Sequence, residues 1–264
     1  MKAGPELDRL DVLAQSALAR VRSGYYRVEK SSQLEPTRSL KAALKAYGGN
    51  PVIAEVKFSS PSVGSIRTRG DPVLLAKAML RGGATGLSIL TDPDHFEGSL
   101  MILNRIRAEV SAPLLMKDFV IDTEQVNAAR INGADAILLI QTLFDRGYCT
   151  LAVEKMIDYA HEQKLEVLLE SYTDGEFERA SRTAADVLGI NNRDLRTMDV
   201  NLHQTERIME QFSGSHGTVV SESGLESPND LRRLKRCGVT GFLIGTAIMS
   251  SDDVEKKVRH FVEA

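Results

Sequence analysis

A chain of 264 residues, 42% hydrophobic and 26% charged, is too long for a small stapled module and has the size and balance of one large folded unit. Its net charge of −3 excludes a global attraction to nucleic acid or anionic membrane and leaves recognition of small anions to local basic groups. The two cysteines, Cys149 and Cys237, form no CxxC pair, which excludes a disulfide framework and a cysteine zinc site and fits two partly buried thiols in a reducing compartment.

The N-terminus is charged every few residues and has no apolar signal core, so a cytoplasmic location is expected. Residues 6–21 place Leu7, Leu10, Leu13, Ala14, Ala17, Leu18 and Val21 at helical spacing, and a second short helical pattern spans Ser39–Tyr47. From residue 51 short apolar runs recur: PVIAEVK (51–57), TGLSIL (85–90), PLLMK (113–117), DAILLI (135–140), LEVLLE (165–170), DVLGIN (186–191), TVVSE (218–222) and TGFLIG (240–245). Amphipathic stretches with helix punctuation separate them. Asp71-Pro72 opens one and Gly82-Gly83 closes it; Asn132-Gly133 closes another; Ser227-Pro228-Asn229-Asp230 caps a third, which ends at Gly238. No apolar run approaches the roughly 20 residues needed to cross a bilayer.

Eight alternating units predict a parallel sheet with helices outside it. An open doubly wound sheet is the alternative, but neither GxGxxG nor GxxxxGK[ST] occurs, and a closed (β/α)8 barrel is favoured. The expected organisation is one domain over 1–264, with 1–49 as a helical extension and 50–264 as the barrel.

Polar residues gather where the strands end. The C-terminal ends read Glu55-Val56-Lys57, Thr91-Asp92, Lys117-Asp118, Gln141, Glu170, Asn191-Asn192-Arg193, Ser221-Glu222-Ser223 and Gly245-Thr246, whereas the opposite ends carry little beyond turn residues. In a barrel the C-terminal rim carries the chemistry. Side chains two apart share a strand face, so Glu55 and Lys57 are expected to point into the barrel mouth above Ile53. They form either a structural ion pair or, with Lys117 and Glu170, acid and base groups that shift one another's pKa. A phosphate cradle is read from Ser221-Glu222-Ser223-Gly224 after strand seven and Gly245-Thr246-Ala247-Ile248-Met249, a short extra helix, after strand eight.

Other chemistries find no support. His95, His161, His203, His216 and His260 have no metal-ligand spacing, and there is no GxSxG elbow. Basic residues alternate with acidic ones along helices, and aromatics do not interleave with a basic patch, so no nucleic-acid partner is expected.

The segments PVIAEVKFSSPSVGSI, LSILTDPDHFEGSL, PLLMKDFVIDTEQV, GADAILLI, LGINNRDLRTMDVNL, VSESGLESPNDLRRL and GFLIGTAIM, in this order over residues 50–250, resemble the indole-3-glycerol phosphate synthase family. The resemblance implies closure of 1-(2-carboxyphenylamino)-1-deoxyribulose 5-phosphate to indole-3-glycerol phosphate, with loss of carbon dioxide and water, in tryptophan biosynthesis. It implies no metal and no organic cofactor, a small phosphorylated substrate, no membrane partner, and transient contact with other tryptophan-pathway enzymes.

By the same resemblance Lys117 is the general acid, Glu170 the base, and Lys57 an acid for the leaving hydroxyl or a partner of the substrate carboxylate. Glu55, Asn191, Arg193 and Glu222 position the substrate. Ser60, Ser223, Gly224, Gly245 and Thr246 match a phosphate cradle. Phe96, Phe119 and Pro61 match walls for the aromatic ring, with barrel packing the plainer role for the phenylalanines. Phe58, Ser59 and Thr246 depart from common family residues. Two rivals stand beside this reading: another phosphosugar barrel enzyme, such as an isomerase or a lysine Schiff-base aldolase, and a catalytically inactive barrel used for binding.

Overall fold

The eight apolar runs become eight strands: β1 (Val52–Val56), β2 (Gly86–Leu90), β3 (Leu114–Lys117), β4 (Ala136–Ile140), β5 (Glu166–Ser171), β6 (Val187–Asn191), β7 (Val219–Glu222) and β8 (Gly241–Ile244). In this computed structural model, which describes residues 7–28, 36–60, 64–67, 70–212 and 217–264, each of these eight strands pairs in parallel with its neighbours around the barrel. β1 meets both β2 and β8, and the barrel closes. Closure leaves no sheet edge, and the open-sheet alternative is removed.

Alternation along the strands divides the core in two. Ile53, Leu115, Leu138, Leu168, Val220 and Leu243 pack inside the barrel. Their neighbours Val52, Ala54, Met116, Leu139, Leu169 and Phe242 face outward beneath the helices. Strands covered on both faces read as unbroken apolar runs for this reason.

Helix punctuation falls where the residues place it. Asp71 accepts from the Val73 amide ahead of helix Pro72–Arg81, and Ser227 with Asp230 forms a capping box ahead of Pro228–Arg236. The short extra helix spans Thr246–Met249. Two further short helices, Pro93–Phe96 and Gln141–Asp145, follow β2 and β4 and were not expected from periodicity.

The two N-terminal helices close opposite ends of the barrel. Helix Arg9–Ser23 buries Leu10, Leu13, Ala14 and Ala17 against Phe119, Ile121 and Ile140 near the C-terminal rim. Helix Leu40–Ala46 buries Leu40 and Leu44 at the other end, where Leu40 reaches Gly86 and Leu44 reaches Gly241. That end is more polar than the sequence reading allowed. Glu166 accepts from the Ser39 hydroxyl and the Lys41 amide, and Asp135 accepts from the Arg38 amide and pairs with Arg107 at 2.7 Å. Glu166 thus receives a free N–H in the first turn of helix Leu40–Ala46 and Asp135 one just ahead of its cap, a demand that strand periodicity cannot reveal.

Candidate active site

At the C-terminal rim a cavity of about 770 Å³ opens over the inward-facing strand ends. Its floor is a cluster of two lysines and three glutamates, each on a different strand end except Glu55 and Lys57, which sit two apart on β1 and just beyond it. Lys117 Nζ lies 3.0 Å from Glu222 Oε2 and 3.2 Å from Glu170 Oε2. Lys57 Nζ lies 2.8 Å from Glu55 Oε1. Asn191 donates from Nδ2 to Glu170 Oε1 at 3.0 Å, and its own Oδ1 accepts from the Arg193 amide at 2.9 Å.

Lys117, Glu55 and Glu222 shift one another's ionisation in this cluster. Burial disfavours the Lys117 ammonium, yet Glu222, Glu170 and Glu55 outweigh it and hold the group well above the ordinary lysine range. Burial also opposes the Glu55 charge, but Lys57 and then Lys117 pull its carboxyl below the usual value. Two cations cannot satisfy three carboxylates. The excess falls on Glu222, whose carboxyl is pushed up to about 7 by burial, against the pull of Lys117 and with repulsion from Glu170.

Two glycines make room for this cluster. A Cβ at Gly189 on β6 would lie 2.5 Å from Glu222 Oε1 and 2.7 Å from a Leu168 methyl. A Cβ at Gly245 would lie 2.3 Å from Glu55 Oε1 and 3.1 Å from Lys57 Nζ. The barrel interior is thinned where the charged side chains must lie.

Around the floor, Phe96 and Phe119 form one wall with ring centroids 6.2 Å apart, and Leu13 from the N-terminal helix adds to the apolar lining. Phe119 also packs in the core cluster that holds this helix, so wall and packing are one role. On another side stand Ser60, Ser223, Gly224, Gly245 and Thr246. Ser223 and Gly224 adopt successive left-handed conformations, φ 68° and 74°. Gly245 precedes helix Thr246–Met249 without a side-chain cap, leaving its first amides without an intrahelical acceptor. Arg193 lines the cavity too. Its guanidinium donates to the Met198 carbonyl at 2.8 Å, and burial lowers its pKa.

Lys117, Lys57, Glu170, Glu55, Asn191, Arg193, Glu222, Phe96, Phe119, Ser60, Ser223, Gly224, Gly245 and Thr246 therefore share one cavity. Pro61 lies outside the described residues. The strand-end residues Gln141, Thr91 and Asn192 do not join them. Gln141 is buried and bonds Asp145; Thr91 donates to Asp118 at 2.6 Å; Asn192 bridges Ser221 and the carbonyls of Glu222 and Ser223. Asp92 and Asp118 reach the cavity but pair with Arg20 at 3.0 and 3.3 Å, holding the N-terminal helix to the rim. Among the described residues no cluster of three or more His, Cys, Asp and Glu side chains is arranged to hold a metal, and no helix is long and apolar enough to cross a membrane.

Sequence reasoning missed Leu13, whose apolar stripe signals burial but not where the helix docks. It also missed Leu138 and Leu195, which lie in the segments GADAILLI and LGINNRDLRTMDVNL but drew no role, and Lys257, which no motif marks.

A family model described as indole-3-glycerol phosphate synthase matches residues 10–261. An indole-3-glycerol phosphate synthase from Desulforamulus reducens is 39% identical over 236 residues, covering 89% of this chain and 88% of its own. That of Hyphomonas neptunium is 42% identical over 217 residues, covering 81% and 80%, and that of Methanocaldococcus jannaschii is 38% identical over 237, covering 89% and 85%. Among solved structures, a thiamine phosphate pyrophosphorylase from Pyrococcus furiosus superposes with a TM-score of 0.58 at 20% identity, covering 84% of this chain and 96% of its own. At that identity the likeness speaks for the fold alone. On the family match over residues 10–261 and identities near 40% across most of each chain, this chain belongs to the indole-3-glycerol phosphate synthase family.

Proposed function

We propose that this cavity closes the indole ring of 1-(2-carboxyphenylamino)-1-deoxyribulose 5-phosphate through Lys117, Lys57 and Glu170. The observation that carries the assignment is Lys117 itself. Two of its three N–H donors go to Glu170 and Glu222, and the third is left for a carbonyl oxygen in the cavity.

In the first step the ring carbon bearing the carboxylate attacks the ribulosyl carbonyl carbon, and the C=O electron pair moves to oxygen. Lys117 supplies the proton that this oxygen takes up. The carbon–carboxylate bond then breaks; carbon dioxide leaves and its bonding pair restores the aromatic ring. The ring nitrogen's lone pair next expels the hydroxyl, protonated by Lys57 and leaving as water. Glu170 removes the remaining methylene proton to complete the indole. Two protons leave the enzyme and one returns, so each turnover takes up one proton from solvent.

Asn191 keeps Glu170 oriented, and Glu55 holds Lys57 within the mouth. Glu55 Oε2 and Glu222 Oε1 are buried acceptors with no donor among the described residues, and substrate hydroxyls would satisfy them. The phenylalanine wall suits the aryl group. The amides of helix Thr246–Met249 with Ser223, Gly224 and Ser60 suit the phosphate. The Schiff-base rival requires a neutral lysine, whereas Lys117 is surrounded by carboxylates that hold its charge.

A cytoplasmic location and transient contact with other tryptophan-pathway enzymes belong to the same reading, supported by two free thiols and by the place of the reaction in a biosynthetic sequence. The test is direct: purified protein is mixed with the carboxyphenylamino-deoxyribulose phosphate and indole fluorescence is followed. Growth of the signal is expected, and a folded protein that yields none overturns the proposal.

A further inference from the structure

The charges at the cavity floor do not balance the substrate. Lys57 is taken up by Glu55, and Lys117 by Glu170 and Glu222; Arg193, held at the Met198 carbonyl, brings the count to three cations against three carboxylates and leaves no positive surplus. The substrate proposed above adds a carboxylate and a phosphate whose second ionisation lies near pH 6, together about three negative charges at neutral pH. Amides and a short helix can bind a phosphate, but an anion of this charge in a desolvated cleft needs a cation at its far end.

Lys257 stands at that end. It lies on helix Val254–Val262, and it lines the cavity beside Thr246, Ala247, Ser250 and Glu226. Its Nζ reaches the Glu226 backbone carbonyl at 3.4 Å and lies 4.9 Å from the centroid of the Phe261 ring. No carboxylate among the described residues pairs with it, and Glu226 offers it a carbonyl rather than its charged end. A 3.4 Å bond is long for an ammonium donor, and the Phe261 ring face attracts the ammonium without neutralising its charge.

We infer that Lys257 is a substrate-phosphate anchor, reaching across the mouth from the last helix to the dianion bound at Ser223–Gly224 and Gly245–Thr246. This rests on the reading of that side of the cavity as the phosphate end. Lys257 would bind the substrate equally before and during ring closure, because the phosphate is remote from the bonds that change. Its contribution should then appear in KM and not in kcat.

The experiment compares the intact chain with Lys257→Gln and Lys257→Arg. Gln is expected to raise KM roughly 10- to 100-fold, as for loss of a charged hydrogen bond, with kcat within about threefold. Arg should recover most of the loss. Competitive inhibition by inorganic phosphate should weaken in step, and KM should become less sensitive to salt. A role confined to bridging the Glu226 carbonyl would lower thermal stability and leave KM and phosphate inhibition near wild type. KM and phosphate inhibition within twofold of wild type in Lys257→Gln overturns the inference.

Thermal protection by inorganic phosphate separates this result from the assigned reaction. Protection that depends on Lys257 in a protein unable to form indole keeps the anchor and removes the reaction. Turnover with protection independent of Lys257 does the reverse.

Discussion

Two lysines and three glutamates in one small volume make each member's behaviour depend on the others. Replacing Lys117 by Ala is expected to lower kcat by at least roughly 10²- to 10⁴-fold, the usual reach of a positioned acid. The same change leaves Glu170 and Glu222 facing each other without their cation, so a lower melting temperature is also expected near neutral pH. Turnover near wild type in a stopped assay would place the acid elsewhere. Glu222 behaves in the opposite sense. Its folded-state carboxyl titrates near 7, above its ordinary 4.5, so the native chain binds more protons than the unfolded chain between those values. The stability this adds is complete below pH 4.5 and is lost as pH rises through 7. Glu222→Gln removes that loss and is expected to melt higher than wild type at pH 8. It should also erase a titration step near pH 7 from the kcat/KM profile. Melting curves at pH 5 and pH 8 check the first outcome, and a flat or reversed difference refutes it. Gly245→Ala forces Glu55 and Lys57 from their places, since its Cβ would lie 2.3 Å from one and 3.1 Å from the other. A tenfold or greater loss of kcat/KM is expected at little cost in melting temperature, because the displaced atoms are side-chain ends.

Among the elements, the N-terminal helix has the most to do with the site outside the barrel itself. It contributes Leu13 to the cavity, and its Arg20 ties Asp92, Asp94 and Asp118 together. Tyr26 donates to Asp118 at 2.8 Å, next in sequence to Lys117. Its other end is held by Arg146, paired with Asp8 at 2.7 Å and Asp11 at 2.6 Å. The Arg146 hydrogen bond lowers the Asp8 pKa against a smaller burial effect, and the Arg20 bond does the same at Asp94. Carboxylates with lowered pKa stabilise the folded state above their unfolded value near 3.8, and this is lost as pH falls through the lower folded value. Residues 9–23 should accordingly lose protection, measured against the intrinsic exchange rate, as pH falls below about 4 and before the barrel strands do. Uniform loss of protection throughout the chain would contradict a separately held helix. Much of this was legible as helix and stripe. Its docking face was not, because Arg20 meets its partners some 70 to 100 positions away, as the pairs with Asp94 and Asp118 show.

For the molecule as a whole, the barrel has two open ends and each is covered from outside the eight units. Helix Leu40–Ala46 covers the end away from the site, and helix Arg9–Ser23 covers part of the rim. Removing residues 1–49 would strip Leu10, Leu13, Leu40 and Leu44 from the apolar cluster they share with the barrel interior and open part of that cluster to water. Each large apolar side chain so exposed costs about 1.5–3 kcal/mol, against a typical total stability of about 5–15 kcal/mol. We expect the truncated chain to aggregate or to melt without a single cooperative transition, and calorimetry against the full chain decides it. A truncated chain that melts in one transition near the full chain's temperature would show the barrel to be self-sufficient.

The eight strands, their parallel order and the inward direction of Glu55 and Lys57 follow from the sequence itself, because alternation and helix punctuation are local and period 2 fixes a side chain's face. The family, too, is legible there, since its motifs are contiguous stretches of residues. What the residues share once the barrel closes is another matter. That Lys117 lies between Glu222 and Glu170, that Glu222 bears the surplus charge, and that Gly189 and Gly245 make room for carboxylates from other strands are relations among distant positions. So are the polar residues that look catalytic and prove structural, Thr91, Gln141 and Asn192. Spacing along a strand sets direction; only closure of the barrel sets distance, burial and therefore charge.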